Sequence, residues 1–362
     1  MFPWRRHVPG EPSRVLIYRI GSLGDTLVAL PSLHQIARSF PRAERRLLTN
    51  FPIHAKAPAS AAVLGESGLV HSYMRYTIGT RSPLALLRLA LQIRRFRPDL
   101  LVYLMPLRPA RNVRRDLAFF RHACGVRTIL GGQEAQQEDQ RRQDPSTGRY
   151  EPESHRLARL VAALGDAAPD DLHSWDLRLT PAEHARAAAA LAPLGDAPFF
   201  VCGPGTKMQA KDWGADNWRA LLALLHARYP SHSLAFVGAA EDTASARHAA
   251  TGWPAACVHL CGALTPRETA AVLARARLFL GPDSGPMHLS AAVGTPAVIA
   301  FSARGLPGIW FPVGARHQIV YHQTSCFGCN LETCTEQQRR CLLSITPEEM
   351  LAACQRALHP QP

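Results

Sequence analysis

Residues 278–302 read LFLGPDSGPMHLSAAVGTPAVIAFS: an apolar run, a turn of small residues around one Asp, a small-residue helix and a second apolar run. An apolar strand that returns through a helix to another apolar strand runs parallel to it, and a parallel sheet is covered by helices on both faces. The same alternation begins near the N-terminus. Arg14 to Arg19 reads as a strand, GSLGD as a turn and the residues from Thr26 onward as a helix, followed by the strand RRLLTN, a helix over Pro83 to Phe96 and the buried strand PDLLVYLMP. It begins again near Pro198 with PFFVCGPGT, the helix NWRALLALLHARY, the strand SLAFVGAAED and the capped helix TPRETAAVLARA. Strands alternating with helices in two separate runs predict an α/β protein of two Rossmann-like halves with parallel sheets.

The chain has 362 residues, and two domains of about 150–180 residues each are the default for that length. The expected division is an N-terminal domain over 1–179, a C-terminal domain over 180–345, and a helix over 346–362 that returns to the N-terminal domain. The Ala-rich piece from Asp176 to Leu194, opened by Thr180-Pro181, joins the halves. Residues 131–150 (GGQEAQQEDQRRQDPSTGRY) are polar and turn-rich without an apolar period, and are expected to form a mobile surface loop, either slack or a lid.

No apolar run is long enough to span a membrane. The segment MFPWRRHVPGEPSR lacks the apolar stretch and cleavage site of a secretory signal, so a cytoplasmic protein is expected. Formal charge is +13, and only three of the 41 basic residues are lysines: Lys56, Lys207 and Lys211. The arginine excess reads either as composition or as affinity for phosphates, a membrane surface or nucleic acid. Arg108, Arg111, Arg114, Arg115 and Arg121 form a cluster that reads as an anion-binding patch or as a solvated helix face. No nucleic-acid-binding motif accompanies it, so no nucleic-acid partner is expected.

In open parallel sheets, ligands bind at the carboxyl ends of strands, where helix N-termini expose unpaired N–H groups. Three turns take that position: GSLGD (21–25), GPGTKMQAK (203–211) and GPDSGPMH (281–288). If the halves face each other, all three converge on one interdomain cleft. Ser284 and Gly285 offer backbone amides suited to a diphosphate, and Gly285 lets an anion approach the backbone. Asp283 reads as a helix cap or as an acceptor for sugar hydroxyls. His288 reads as a buried histidine rather than a catalytic one. Lys207 and Lys211, two of three lysines in an arginine-dominated chain, suit phosphate as compact point charges. Trp213 belongs in the core. Asp25, at the head of the first helix, is either a cap or a general base for an attacking hydroxyl. The dinucleotide pattern G-x-G-x-x-G is absent, which argues against a dehydrogenase.

Together, RVLIYRIGSLGDTLVALPSL, PGTKMQAKDWGADNWRALLALL and DSGPMHLSAAVGTPAVIAF resemble glycosyltransferase family 9, the bacterial lipopolysaccharide heptosyltransferases. The resemblance implies a GT-B arrangement of two Rossmann-like domains and an inverting transfer of sugar, typically heptose, from a nucleotide diphosphate, typically ADP. No bound metal is required for catalysis. By position, Asp25 resembles the catalytic base and Lys211 the lysine that meets the diphosphate, with Thr206 in the same phosphate-facing loop. Asp283, Ser284, Gly285 and His288 match the donor motif D-[TS]-G-x-x-H. Glu241, or Asp242 beside it, is similar to the acid that reaches the adenosine ribose, and Leu264 sits where the family lines its adenine pocket. The chain reads I-G-S-L-G-D where family members often have S-S-L-G-D or S-S-M-G-D. The implied partners are a nucleotide sugar, a phosphorylated glycolipid acceptor and the cytoplasmic leaflet of the inner membrane, where the enzyme would sit peripherally. Alternatives are a GT-B sugar-nucleotide epimerase and a non-catalytic nucleotide-sugar-binding subunit.

Of nine cysteines, Cys326, Cys329, Cys334 and Cys341 have the spacing C-x2-C-x4-C-x6-C. Four such thiolates can close a structural zinc site, or hold an iron–sulfur centre, against the alternative of reduced thiols packing a loop. Cys124, Cys202, Cys257, Cys261 and Cys354 are expected to fill cores.

Overall fold

The computed structural model describes residues 11–51, 59–138 and 140–359. The expected absence of a signal segment concerns residues that lie largely outside these. The chain forms two compact units that divide between Trp175 and Asp176.

In the first unit, β1 (Arg14–Tyr18), β2 (Glu44–Asn50), β3 (Ser72–Tyr76), β4 (Leu100–Tyr103) and β5 (Ile129–Leu130) form one sheet in the order β3-β2-β1-β4-β5. Every pairing is parallel. Its helices are α1 (Leu23–Leu27), α2 (Leu30–Ser39), α3 (Ser60–Leu64), α4 (Pro83–Phe96), α5 (Ala110–Ala118), α6 (Gly132–Gln137) and α7 (Glu153–Leu160). Val15, Leu16, Ile17, Leu100, Leu101 and Val102 are wholly buried, as strands covered on both faces must be.

The second unit holds β6 (Phe199–Cys202), β7 (Ser233–Phe236), β8 (Cys257–His259), β9 (Leu278–Pro282), β10 (Ala297–Phe301) and β11 (Gln318–Tyr321). Their order is β11-β10-β9-β6-β7-β8, again all parallel. The helices are α8 (Pro181–Leu191), α9 (Ala215–Arg228), α10 (Thr243–Ala250), α11 (Pro266–Leu273), α12 (Gly285–Ala292), α13 (Arg340–Leu343) and α14 (Pro347–Leu358). Both sheets therefore have the doubly wound order, in which the chain reverses direction beside its first strand. The core is centred on Trp213 and Trp218, both fully buried. The Trp213 indole donates to the Ile345 carbonyl (3.0 Å).

Three sequence expectations change. The division falls at 175/176 rather than 179/180 because the side chains on either side are tied to different units. The buried Trp175 indole donates to the Pro169 carbonyl (2.8 Å), whereas Arg267 of α11 donates to the Leu177 carbonyl (2.9 Å) and pairs with Glu183 of α8. The last helix does not return to the first unit. Met350, Ala353 and Cys354 of α14 are fully buried in the core around Trp213 and Trp218.

Residues 131–150 are also not one slack loop. Gly131 takes φ +78° and opens α6, and a bridge between Gln143 and Tyr150 closes a turn in which Asp144 accepts from Ser146 and Thr147. Ion pairs hold what apolar residues do not. Glu153 is fully buried and meets Arg156 (2.8 Å), Arg141 (2.7 Å) and, more loosely, Arg19 (3.5 Å). Arg156 and Arg159 both reach Glu138, and Arg159 also pairs with Glu151 (2.7 Å).

Burial alone would raise the Glu153 pKa, but the Arg156 hydrogen bonds and the charges of Arg156, Arg19 and Arg141 outweigh it and bring it down to about 2. A carboxyl whose pKa is lowered on folding contributes stability above its unfolded value near 4.5 and loses it as pH falls toward 2. Stability should therefore decline through that window, as read by denaturant melts at graded pH. Glu153→Gln should destabilise the first unit by about 3–5 kcal/mol at neutral pH, because three guanidinium groups lose a buried partner. A loss under 1 kcal/mol would show that the network contributes little.

Candidate functional site

The crevice of a doubly wound sheet lies at the carboxyl ends of the strands where chain direction reverses. In the second unit that place is between β6 and β9, which pair directly. The turn after β6 carries residues 203–211 and the turn after β9 carries Asp283 and Ser284. Two of the three predicted turns thus meet for a topological reason.

Their contact is an ion pair. The Lys211 ammonium lies 2.7 Å from Asp283 Oδ2, with the two side chains 18 % and 8 % exposed. Asp283 is therefore not the helix cap. Ser284 is the N-cap of α12, yet its side chain makes no cap bond, and its hydroxyl is buried without a hydrogen-bond partner among the described residues. A buried hydroxyl at a helix N-terminus, next to unpaired amides and a lysine, is suited to an anionic or hydroxylated ligand. His288 is buried one turn further along α12, with its ring edge-on to Trp310 at 6.3 Å. Burial, aided by the charge of Arg316 and less by that of His288, lowers the pKa of His317 to about 4.

The Lys211 turn is supported by the cysteine-bearing loop, which the sequence left open between a metal site and packed thiols. Ala210 N donates to Glu332 O (3.0 Å), Cys334 N to the Gln209 side chain (2.8 Å), Ser302 Oγ to Ala210 O (2.8 Å) and Arg339 to Asp212 O (2.6 Å). Cys326, Cys329, Cys334 and Cys341 line one void of about 10 Å³, together with Arg304, Arg339 and Arg340. All four are free thiols, and among the described residues no three His, Cys, Asp or Glu side chains are grouped to hold a metal ion. The zinc reading thus has no support among the described residues. The sulfurs already have other neighbours (Arg339 N at 3.3 Å from Cys334, Thr324 Oγ1 at 3.4 Å from Cys326), and the arginines lining the void oppose a further cation. Of the remaining cysteines, Cys124, Cys202 and Cys354 are buried, and Cys257 and Cys261 only half so.

The other expected donor residues are spread around this centre. Thr206 accepts from Met208 N (3.4 Å) within its own turn, and Lys207 is exposed. Glu241 is exposed at the end of β7, whereas Asp242 is buried and accepts from Ala239 N (2.9 Å). A side chain at Gly205 would overlap the Asp242 carboxyl, so Asp242 fills space between two turns and Glu241 is the acid left facing solvent. Half-buried Leu264 follows β8. Gly262, two residues before it, packs so closely on Ala240 that a Cβ there would lie 2.7 Å from Ala240 Cβ. This brings the Glu241 and Leu264 turns side by side.

In the first unit, Asp25 lies on α1, after β1. Ser22 N donates to its Oδ2 (2.9 Å), closing a capping box, and the side chain stays 27 % exposed. Arg19, fully buried, donates from Nε and Nη2 to the Asp25 carbonyl (3.1 and 2.9 Å) and from Nη1 to the Leu104 carbonyl (3.0 Å). The Arg19 guanidinium is 3.8 Å from Asp25 Oδ1. Sequence reading missed Arg19, although an arginine ending an apolar strand was its visible signal. In the arginine patch, Arg108 and Arg115 are committed to Asp116 (2.6 and 3.0 Å), while Arg111, Arg114 and Arg121 are exposed.

Two doubly wound parallel units, each with polar side chains gathered at strand carboxyl ends, give the GT-B fold that the chain shares with an Escherichia coli ADP-heptose heptosyltransferase II. The model of glycosyltransferase family 9 (heptosyltransferase) matches residues 118–339, and the chain belongs to that family. Lipopolysaccharide heptosyltransferase 1 of Pseudomonas aeruginosa is 32% identical over 168 residues, which cover 46% of each chain. The matched segments span less than half the length of the curated relatives. A family 9 glycosyl transferase from Veillonella parvula shares the fold over 96% of this chain and 98% of its own, with a TM-score of 0.71 at 15% identity. An Escherichia coli heptosyltransferase solved with ADP-2-deoxy-2-fluoro heptose does so over 95% and 99%, with a TM-score of 0.57 at 17% identity.

The Lys211–Asp283 pair should be measurable without ligand. A double-mutant cycle of Lys211→Met and Asp283→Asn should give a coupling of about 0.5–3 kcal/mol in denaturant unfolding. Additive losses would show that the two side chains do not interact in solution.

Proposed function

We propose that the protein is an inverting glycosyltransferase that moves heptose, or a related sugar, from an ADP-type nucleotide sugar to a lipopolysaccharide core or similar phosphorylated glycan. The observation that carries this reading is the Lys211–Asp283 pair beside the Ser284 hydroxyl, which has no partner among the described residues, at the switch point of the second sheet. Family membership supports it, as does the fold shared with a heptosyltransferase solved with an ADP-heptose analogue.

In this mechanism the acceptor hydroxyl oxygen attacks the anomeric carbon as the bond from that carbon to the diphosphate oxygen breaks. The proton passes to Asp25, whose Oδ1 is not engaged by the capping amide. Negative charge accumulates on the departing diphosphate, where Lys211 and the amides of Ser284 and Gly285 stabilise it. Asp283 orients the ammonium and accepts from a sugar hydroxyl. Glu241 meets the ribose and Leu264 the adenine. Thr206, Lys207 and His288 complete the donor surface. The exposed Arg111, Arg114 and Arg121 attract acceptor phosphates, and the protein works in the cytoplasm at the inner leaflet. Among the described residues no helix is long and apolar enough to cross a membrane.

Asp25→Asn should lower kcat by about 10²–10⁴-fold, the usual contribution of a general base, while ADP-heptose affinity by calorimetry changes less than threefold. Normal turnover would remove Asp25 from that role. Lys211→Ala should weaken donor binding and slow transfer together, and unchanged kinetics would place Lys211 outside the site. Release of free sugar isomers without an acceptor would instead identify an epimerase.

A further inference from the structure

Of the large apolar side chains exposed on the described surface, Ile78, Leu84, Leu87 and Leu91 fall within one short segment and are each 55–57 % exposed. α4 accounts for three of them. Its inner face buries Leu89, Ala90, Ile93 and Phe96 against the first unit, and Leu84, Leu87 and Leu91, spaced i, i+3, i+7, form a second apolar stripe facing outward. A helix needs only one apolar face to dock on its own core, so the second stripe is unexplained by folding.

The charge around the stripe is of one sign. Residues 67–98 contain six arginines and no Asp or Glu. Arg88 and Arg95 lie on the same outward face as the leucines, one and three turns after Leu84, and Arg81 is in the turn just before the helix. All three are exposed and have no ion pair among the described residues. On the other flank, Arg94 donates to the carbonyls of Ala123 and His122 (2.6 and 3.3 Å), which joins α4 to the exposed Arg121.

We infer that the outward face of α4, with the Ile78–Arg81 turn, is a docking surface for an anionic phospholipid bilayer. Ile78, Leu84, Leu87 and Leu91 enter the headgroup–acyl boundary, and Arg81, Arg88 and Arg95 meet lipid phosphates. Lying flat, the 14-residue helix covers about 21 Å of surface. The charge pattern favours lipid over protein. Every charge on this face is positive and residues 67–98 hold no acid to pair with it, which matches a surface of uniform negative charge. A second copy packed about a two-fold axis would set this face, and its arginines, against themselves. The inference gives the membrane part of the proposed function a definite surface, and it stands on the first unit alone.

The test is co-sedimentation of the full chain with vesicles of phosphatidylglycerol and phosphatidylcholine, and with phosphatidylcholine alone. The wild type should bind the anionic vesicles at least tenfold more tightly. Leu87→Gln/Leu91→Gln should lose at least tenfold. Arg88→Gln/Arg95→Gln should lose about 25-fold, at about fivefold per arginine. Leu172→Gln, an exposed leucine elsewhere, should bind as the wild type does. Thermal melts and transfer to a water-soluble, deacylated acceptor should be unchanged in every variant, so a failure of the transfer reading shows separately from a failure here. Wild type that ignores anionic vesicles, or double variants that bind them equally well, would overturn the inference. So would sedimentation velocity showing a dimer that Leu87→Gln/Leu91→Gln dissolves, since a second copy would then cover the face.

Discussion

A lysine and an aspartate 2.7 Å apart hold the second unit's site together. Neither residue has regular structure long enough to fix it by itself. Lys211 ends a single turn of 3₁₀ helix, and Asp283 lies between a strand and a helix. Parallel pairing of β6 with β9 brings the two turns to one edge of the sheet, and the ion pair sets the ammonium there. The cysteine-bearing loop supports it from the other side through Glu332, Cys334 and Arg339. In the proposed transfer, a charge that acts on a leaving phosphate is best placed before the substrate arrives, because reorganisation during the reaction would use up its benefit. Asp283, an odd neighbour for a phosphate when considered alone, makes sense as the group that holds the ammonium ready.

The first unit reaches the same result with different chemistry. Asp25, the base of the proposed reaction, sits on a helix of five residues, too short to be stable without support. Arg19 provides that support by donating to the Asp25 carbonyl on one side and the Leu104 carbonyl on the other, so that β1, α1 and the end of β4 share one guanidinium. Behind it, Glu153 draws Arg141 and Arg156 into the interior. Rigidity at Asp25 therefore rests on buried charge, which is why the segment that carries much of that charge lacks any apolar period.

The strongest apolar runs made the architecture legible. α4 begins and ends where its sequence pattern places it, and β1, β4, β6, β9 and β10 all follow from apolar segments. β3, β8 and β11 were not legible, because SYMRY, CVH and QIVY are short and only half-buried at sheet edges. The turn residues of the donor side were recognisable by type, but their partners were not. Sequence spacing offers no reason for Lys211 to choose Asp283 over a solvent-facing role, and that choice is made by two strands nearly 80 residues apart becoming neighbours. The four cysteines were left open between a metal and packed thiols. Their spacing invited a metal, whereas in the fold arginines line the same void and the loop's backbone is used to brace another turn.

Gly21 has φ +144°, and a Cβ there would overlap the Asp25 side chain. No side chain at residue 21 could share that space without displacing the Asp25 carboxylate. The bare position at residue 21 is thus the berth in which the Asp25 carboxylate rests against Ser22 N.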